Sequence, residues 1–334
     1  MLKDKTIGVV VPAYNEESQI SGVISTMRDF VDKIIVVDDK SPDHTVERTL
    51  QLRDDPKFAK RLVLVQLPAN EGVGGAIAAG YRWARDNKID VTAVMAGDGQ
   101  MEPGELANIV MPVVDGKADY AKGNRLLTEN SWKTIPKSRF IGNAALSLLT
   151  KIVSGYWSVV DSQTGYTAIS LLALQTLNLD NIYKRYGVPN DILTKLNIYN
   201  FRLAQIPIEP IYHVGEQSKM KKRVVLFTIP YLLFRLFFYR LFFKYVVRDF
   251  HPIFFYYMVG LLLTIIGLAG GLTNLALMIL SSHALTTITV SIGWKLFFTT
   301  FFLSGVNLLF FGMWMDRDEN KHLQTNTLPG SQHL

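Results

Sequence analysis

Ile7-Gly8-Val9-Val10-Val11-Pro12-Ala13-Tyr14-Asn15-Glu16-Glu17 is the stretch that sets the fold: a short β-rich run that turns abruptly polar. The same grammar recurs downstream. Lys33–Asp38 runs into Asp39, Leu62–Gln66 leads to Asn70-Glu71-Gly72-Val73-Gly74-Gly75, Val91–Ala96 runs into Gly97-Asp98-Gly99-Gln100, and Asp119–Gly123 runs into Asn124-Arg125. Helical patterns separate these runs, over Glu17–Phe30, Pro42–Leu52, Gly74–Asn87 and Glu105–Val114. Ser41-Pro42 has the form of a helix start, a serine cap followed by proline at the first helical position. Strands alternating with helices predict an α/β domain, Rossmann-like, with a mostly parallel sheet covered on both faces. Ligands of such sheets bind at the carboxyl ends of the strands.

The polar residues at those ends form one set. Carboxylates there suit a base, a ribose or a metal ion, and a glycine-rich turn before a helix lets backbone N–H groups approach a phosphate. Each feature alone is weak, since single loop carboxylates are usually solvated. The set in this order is a strong signal. The dinucleotide glycine fingerprint after the first strand is missing, which argues against an oxidoreductase.

Composition adds a second region. Of 334 residues 49% are hydrophobic, and most of the surplus lies after Val224. Ile253–Leu280 carries no charge and is long enough for a hydrocarbon core, which needs about 20 residues. Leu296–Met315 is a second such stretch. Trp294-Lys295 and Trp314 stand at its two ends as interfacial anchors. The charged run Asp316-Arg317-Asp318-Glu319 then opens a tail, residues 316–334.

Between Lys219 and Arg248 there are eight basic residues and no acidic one, within a net charge of +6. A basic block this rich in Phe, Leu and Tyr fits an anionic lipid surface better than nucleic acid. Arg240, Lys244 and Arg248 are spaced by four and share one helical flank. Residues 219–250 are therefore expected as one or two interfacial helices, 251–315 as a two-helix transmembrane region, and 1–218 as a cytoplasmic catalytic domain by the positive-inside tendency. Cysteine is absent, so neither disulfides nor thiolate metal sites arise.

The motifs resemble glycosyltransferase family 2, with its GT-A fold, and within it the dolichyl-phosphate mannose synthase-like subgroup of polyprenyl-phosphate glycosyltransferases. The resemblance spans about residues 5–315. It rests on Val11–Glu17, Val37-Asp38-Asp39, Asn70–Gly75, Asp98-Gly99-Gln100, Gly123-Asn124-Arg125, Arg139 to Asn143, Asp161-Ser162-Gln163-Thr164-Gly165-Tyr166 and Gly215–Lys219. The chain departs from the pattern once, because Ala96 stands where the family's Asp-x-Asp metal motif has its first aspartate.

The resemblance implies a nucleotide-sugar donor, a polyprenyl phosphate acceptor and Mg²⁺ or Mn²⁺. Pro12, Tyr14, Glu16, Asp38 and Asp39 are expected around the nucleoside, with Gly72 near the diphosphate and Asp98 and Gln100 at the metal. Arg125, Arg139, Asn143 and Lys219 are expected at the acceptor phosphate, and Asp161 orients sugar or acceptor or acts as a weak base. UDP-glucose is the expected donor type, with GDP-mannose the alternative, and transfer inverts the anomeric centre. Two other readings compete: a family 2 transferase with a different acceptor, and a non-catalytic membrane scaffold of the same fold, to which Ala96 lends weight. Two spans also invite homo-oligomers.

Overall fold

A computed structural model describes residues 1–126, 137–209, 222–282 and 291–325, without the side chains of 137–141, 143, 145, 222–226 and 282. Among the described residues eight strands form one sheet. In chain order they are β1 (Ile7–Ala13), β2 (Lys33–Asp38), β3 (Leu62–Gln66), β4 (Val91–Val94), β5 (Tyr120–Asn124), β6 (Thr167–Ser170), β7 (Leu203–Pro207) and β8 (Gln324–Thr325). Their order across the sheet is β3-β2-β1-β4-β6-β5-β7-β8. All neighbours are parallel except β6, which lies antiparallel between β4 and β5.

The period of two along a strand sorts its side chains between two cores. Ile7, Val9 and Val11 of β1 join Ile20, Ile24, Leu106 and Ile109 on one face. Val10 joins Ile35, Ala76, Ile77 and Tyr81 on the other. Ile35 belongs to β2, and the other partners come from α1 (Ile20–Ser25), α3 (Val73–Asp86) and α4 (Leu106–Val114). The helix α2 (Thr45–Arg53) starts later than the Ser41-Pro42 signal implied. The Ser41 hydroxyl instead accepts from Asn15 N at 3.1 Å. Asp43 serves the helix start, with Oδ1 accepting from Thr45 N at 3.2 Å.

After β5 the chain forms α5 (Lys137–Ser154), α6 (Leu171–Thr176), α7 (Val188–Ile198) and α8 (Lys222–Phe242). The last is one helix, running through Pro230. Ile229, Leu232, Leu233 and Leu236 pack with Val153 and Leu146 of α5. Phe227, Tyr231 and Phe234 form the opposite, exposed stripe.

The chain divides into two compact units, one ending at Arg240 and resuming at Lys321, the other spanning Leu241–Asn320. The second unit contains a π-helical turn, Phe243–Arg248, followed by α9 (Ile253–Ser282) and α10 (Ile292–Asn320). Both long helices are apolar enough to cross a bilayer, with mean hydropathies of 2.1 and 1.8. Only 28% and 11% of their apolar windows is buried, the opposite of a core hairpin.

The two helices run antiparallel on a seam of small residues. A β carbon on Gly260 would lie 3.0 Å from Leu309 N, and one on Gly312 would lie 3.3 Å from Tyr256 Cβ. Such close backbone approach is how helices associate where no hydrophobic driving force separates them from lipid.

Two residues of the expected basic flank are buried rather than presented outward. The Arg240 guanidinium donates from Nε to Val153 O at 2.7 Å and from a terminal nitrogen to Ile152 O at 3.0 Å, capping the last carbonyls of α5. Lys244 Nζ lies 2.6 Å from Asn320 Oδ1. Asn320 donates to the Tyr245 hydroxyl at 2.8 Å, and Tyr245 donates to Asp316 Oδ1. Spacing by four identified a shared face but not the direction in which it points. The segment read as a charged tail from Asp316 continues α10 to Asn320 and then supplies β8.

Candidate active site

The strand ends of the first unit form two groups. The first lies where β2 meets the glycine turn. Asp38 is buried and accepts from Ser41 N at 3.2 Å, closing the turn after β2. Asp39 accepts from Glu71 N at 2.6 Å and Gly72 N at 2.8 Å. Burial raises the Asp39 carboxyl above its ordinary value, only partly offset by those amides and by Arg185. The amides of Gly74 and Gly75 both donate to Lys184 O, at 3.0 and 3.3 Å. Gly72, at φ +84°, admits the same carbonyl, since a β carbon there would lie 2.6 Å from Lys184 O. The chain's own acceptors thus occupy the amides that the glycine pattern offered to a diphosphate. Arg185, which sequence reasoning missed, donates to Asn70 Oδ1 at 3.2 Å beside Asp39.

The second group opens into a cleft of about 200 Å³ at the ends of β4, β5 and β6, lined by Asp98, Gln100, Glu105, Arg125, Gln163 and Tyr166 among others. The turn after β4 is tight: Gly99 has φ +71°, and Gln100 N donates to Asp98 Oδ1 at 3.0 Å. Pro12 and Glu16 border it, 3.2 Å (Pro12 O) and 3.6 Å (Glu16 Cγ) from where a β carbon on Gly97 would stand. Tyr14 is exposed on the same loop. The sequence therefore brings Pro12, Glu16, Asp98, Gln100 and Arg125 to one side of the sheet.

Arg125 and Asp161 form a fork. Nε donates to Oδ2 at 2.8 Å and a terminal nitrogen donates to Oδ1 at 3.1 Å. The Arg125 and Gln163 amides complete the carboxylate's shell, at 3.2 and 3.1 Å. Burial by itself would raise the Asp161 carboxyl, but the Arg125 bonds and charge, with Lys122 nearby, hold it below its ordinary value. Asp161 is 1% exposed and lies behind the arginine, whereas Arg125 lines the cleft. An ionised, enclosed carboxylate of this kind orients a guanidinium rather than taking a proton from substrate.

Lys122, absent from the sequence reading, is buried beneath the pair and donates to Thr164 O. Burial pushes its ammonium down to about 7 despite Asp161. An alternating strand gave no signal for it, because one inward lysine looks like an ordinary strand-end charge.

Arg139 and Asn143 sit one turn apart on α5; their side chains, and Lys219 altogether, lie outside the described residues. No cluster of three or more metal-ligating His, Cys, Asp or Glu residues exists among the described residues. Asp98 and Gln100 fit a cation only as a site completed by substrate oxygens, the usual way magnesium is held. Ala96 makes no side-chain contribution, and its amide points at Met101 Sδ, 3.2 Å away.

A family model described as glycosyl transferase family 2 matches residues 8–177, which is half of the chain and takes in Asp39, Asp98, Arg125 and Asp161. The chain belongs to glycosyl transferase family 2. This family 2 enzyme is 29% identical over 245 residues to the UDP-N-acetylglucosamine–dolichyl-phosphate N-acetylglucosaminyltransferase of Methanococcus voltae, covering 70% of this chain and 97% of that one. It is also 29% identical to the undecaprenyl-phosphate mannosyltransferase of Micrococcus luteus, over 65% of this chain and 88% of that one. Among solved structures it resembles glucosyl-3-phosphoglycerate synthase from Mycobacterium tuberculosis in complex with Mn²⁺ and UDP-glucose. The TM-score is 0.51 at 22% identity, covering 71% of this chain and 79% of that one, a likeness of fold.

Proposed function

We propose that this glycosyltransferase moves a sugar from a nucleotide-sugar to a polyprenyl phosphate, with inversion, at the cytoplasmic face of a membrane. The observation that carries the reading is the Arg125 fork. A guanidinium fixed by a buried carboxylate lines the same cleft as Asp98, which supports a reading in which Arg125 grips a phosphate and Asp98 serves the donor. The names of the Methanococcus voltae and Micrococcus luteus relatives, both transferases to polyprenyl phosphates, support the acceptor class. The two long apolar helices support the membrane. The exposed Arg235 and Arg248, with the basic run from Lys219 to Arg223, support the cytoplasmic side.

A lipid phosphate carries its own charge, so its oxygen attacks without a strong base. Arg125 holds that phosphate in line, with Arg139, Asn143 and Lys219 assisting from α5 and the segment that precedes α8. Asp161 keeps Arg125 aimed. Tyr14, Pro12 and Glu16 border the nucleoside, Asp39 and Asp38 shape the loop that receives it, and Gly72 lets that loop close. A divalent cation, Mg²⁺ or Mn²⁺, held by Asp98 and Gln100 with the donor's oxygens, would offset charge gathering on the departing diphosphate. Attack from the face opposite the leaving group inverts the anomeric centre. UDP-sugars of the glucose type are the first donors to try, and GDP-mannose the second.

The test is transfer by detergent-purified protein from radiolabelled UDP- and GDP-sugars to polyprenyl phosphate, with Mg²⁺ or Mn²⁺ against chelator. Label entering the organic phase with one donor, only with metal, and with inverted configuration by NMR, supports the reading. Nucleotide binding without transfer to any lipid phosphate removes the acceptor from it. Absence of both binding and transfer favours the non-catalytic scaffold.

A further inference from the structure

The residues that hold the Arg125–Asp161 fork are themselves held by one amide side chain outside the cleft. Gln205, on β7 opposite Lys122, accepts at Oε1 from Asn124 Nδ2 at 2.8 Å and from Val160 N at 3.0 Å. Its Nε2 donates to Ser158 O at 2.8 Å. Asn124 immediately precedes Arg125, and Val160 immediately precedes Asp161. Asn124 is fully buried, and its own Oδ1 accepts from Leu126 N at 3.0 Å, so it braces both sides of the arginine. Ser158 is tied from its other side, its amide donating to Gln324 Oε1 at 2.5 Å. Gln324 belongs to β8, which pairs in parallel with Leu203 and Ala204, and Thr325 Oγ1 donates to Leu203 O at 3.0 Å. Leu323 anchors the same strand in the core beside Tyr156, Phe201 and Leu203.

We infer that Gln205 is a positioning residue for transfer, that it sets the register between the strand end carrying Arg125 and the segment carrying Asp161, and that Gln324 completes the brace. The amide is chemically suited to this. One oxygen serves two donors and one nitrogen serves the carbonyl between them, a pattern no hydroxyl or carboxylate reproduces. Neither glutamine lines the cleft, so each acts through the fork and not on substrate. A misplacement of about 1 Å at a phosphate-holding group lowers transfer by up to about 100-fold. The inference rests on the proposed acceptor reading only for its kinetic consequence.

The experiment uses the full chain in detergent with Gln205→Ala, Gln205→Glu, Gln324→Ala and Asp161→Ala. Gln205→Ala should lower kcat or raise the acceptor KM about tenfold while the donor KM stays within about twofold. Gln205→Glu keeps the accepting atom and loses the donating one, so it should recover part of that loss. Gln324→Ala should give a smaller loss of the same kind. In the Asp161→Ala background, Gln205→Ala should add nothing, the signature of residues acting as one unit. Hydrogen exchange provides the readout that does not need turnover: Gln205→Ala should speed exchange at Ser158–Gln163 and leave the amides of β1 and β2 protected. Unchanged kinetics with unchanged exchange, or a fully additive loss on Asp161→Ala, overturns the inference. If the wild-type chain transfers to no polyprenyl phosphate, the acceptor reading falls, and the exchange result alone decides the role of Gln205.

Discussion

At the end of β2, Asp39 gives its two oxygens to the amides of Glu71 and Gly72, and the next amides along, those of Gly74 and Gly75, close on Lys184 O. At the end of β5, Arg125 takes a buried carboxylate behind it and presents itself to a cleft in front. Both places carry charged residues at parallel strand ends beside a turn. One uses its polar groups to fasten loops, and the other uses a buried partner to aim a charge. Residue type does not separate the two cases. What separates them is whether the partner is backbone, which leaves a knot, or a side chain on the far side from solvent, which leaves a tool.

Asp98→Ala should produce the largest effect. Loss of the carboxylate proposed to face the donor should lower turnover by about 10³-fold or more, several kcal/mol of barrier. The thermal midpoint should move little, because Asp98 is only half-buried and its turn ends on the exposed Gln100. Parallel transfer and melting measurements check it, and a variant that melts early would move Asp98 into the fastening class.

Arg125→Ala should affect both readouts. It leaves Asp161 buried and unpaired, a loss of about 3–5 kcal/mol at neutral pH. The pH dependence follows from the signs. Asp161 is held below its ordinary value in the wild type, so its stabilisation is present above pH about 4 and fades as pH falls through its folded value. Without the Arg125 side chain, Lys122 and the two backbone amides oppose burial more weakly, so the carboxyl shifts upward from its wild-type value. The stability gap between the two proteins should therefore widen from pH 3 to pH 7, and a constant gap in denaturant titrations would show that the pair contributes no linked proton.

Gly74→Ala tests the other class. Its β carbon would overlap Tyr183 O and lie 2.9 Å from the Lys184 carbonyl carbon. A loss of about 1–3 kcal/mol follows from overpacking. The donor KM of the folded fraction should hold, and a selective rise in that KM would return the glycine turn to the diphosphate.

Lys122→Met should change transfer least, and its effect should show as a pH dependence of stability. The wild-type ammonium titrates near 7 when folded against 10.5 when unfolded. Below 7 both states are protonated and the burial penalty is fully present. Between 7 and 10.5 the unfolded chain binds the extra proton, so stability rises with pH by at most about 1.4 kcal/mol per unit. The methionine variant should lack that slope in melts from pH 7 to 10.

Most of the sheet was legible because β1 to β4 are largely apolar runs with turn chemistry at their ends, and Gly123-Asn124-Arg125 marked the end of β5. The remaining strands are not. Thr167–Ser170 is four residues long and enters antiparallel between β4 and β5, and Gln324–Thr325 is two polar residues with no periodicity to detect. Arg240 and Lys244 are misleading for a different reason. Four-residue spacing reports a common face, and only tertiary packing decides that Arg240 turns to the carbonyls of α5 and Lys244 to Asn320 while Arg248 stays exposed. In the site, Asp98 and Arg125 were legible as motif residues, whereas Lys122, Arg185 and Gln205 act through partners far away in sequence.

The two-residue strand β8 also fixes a chronology. A ribosome delivers β1 early and Gln324 only after both long apolar helices have been made. The sheet must therefore wait for its last edge, and with it the bond from Ser158 to Gln324, until the hairpin has left the exit tunnel. A nascent chain halted before Lys321 would hold every residue of the cleft without the final stitch, so the newborn enzyme is assembled in the order sheet, hairpin, latch.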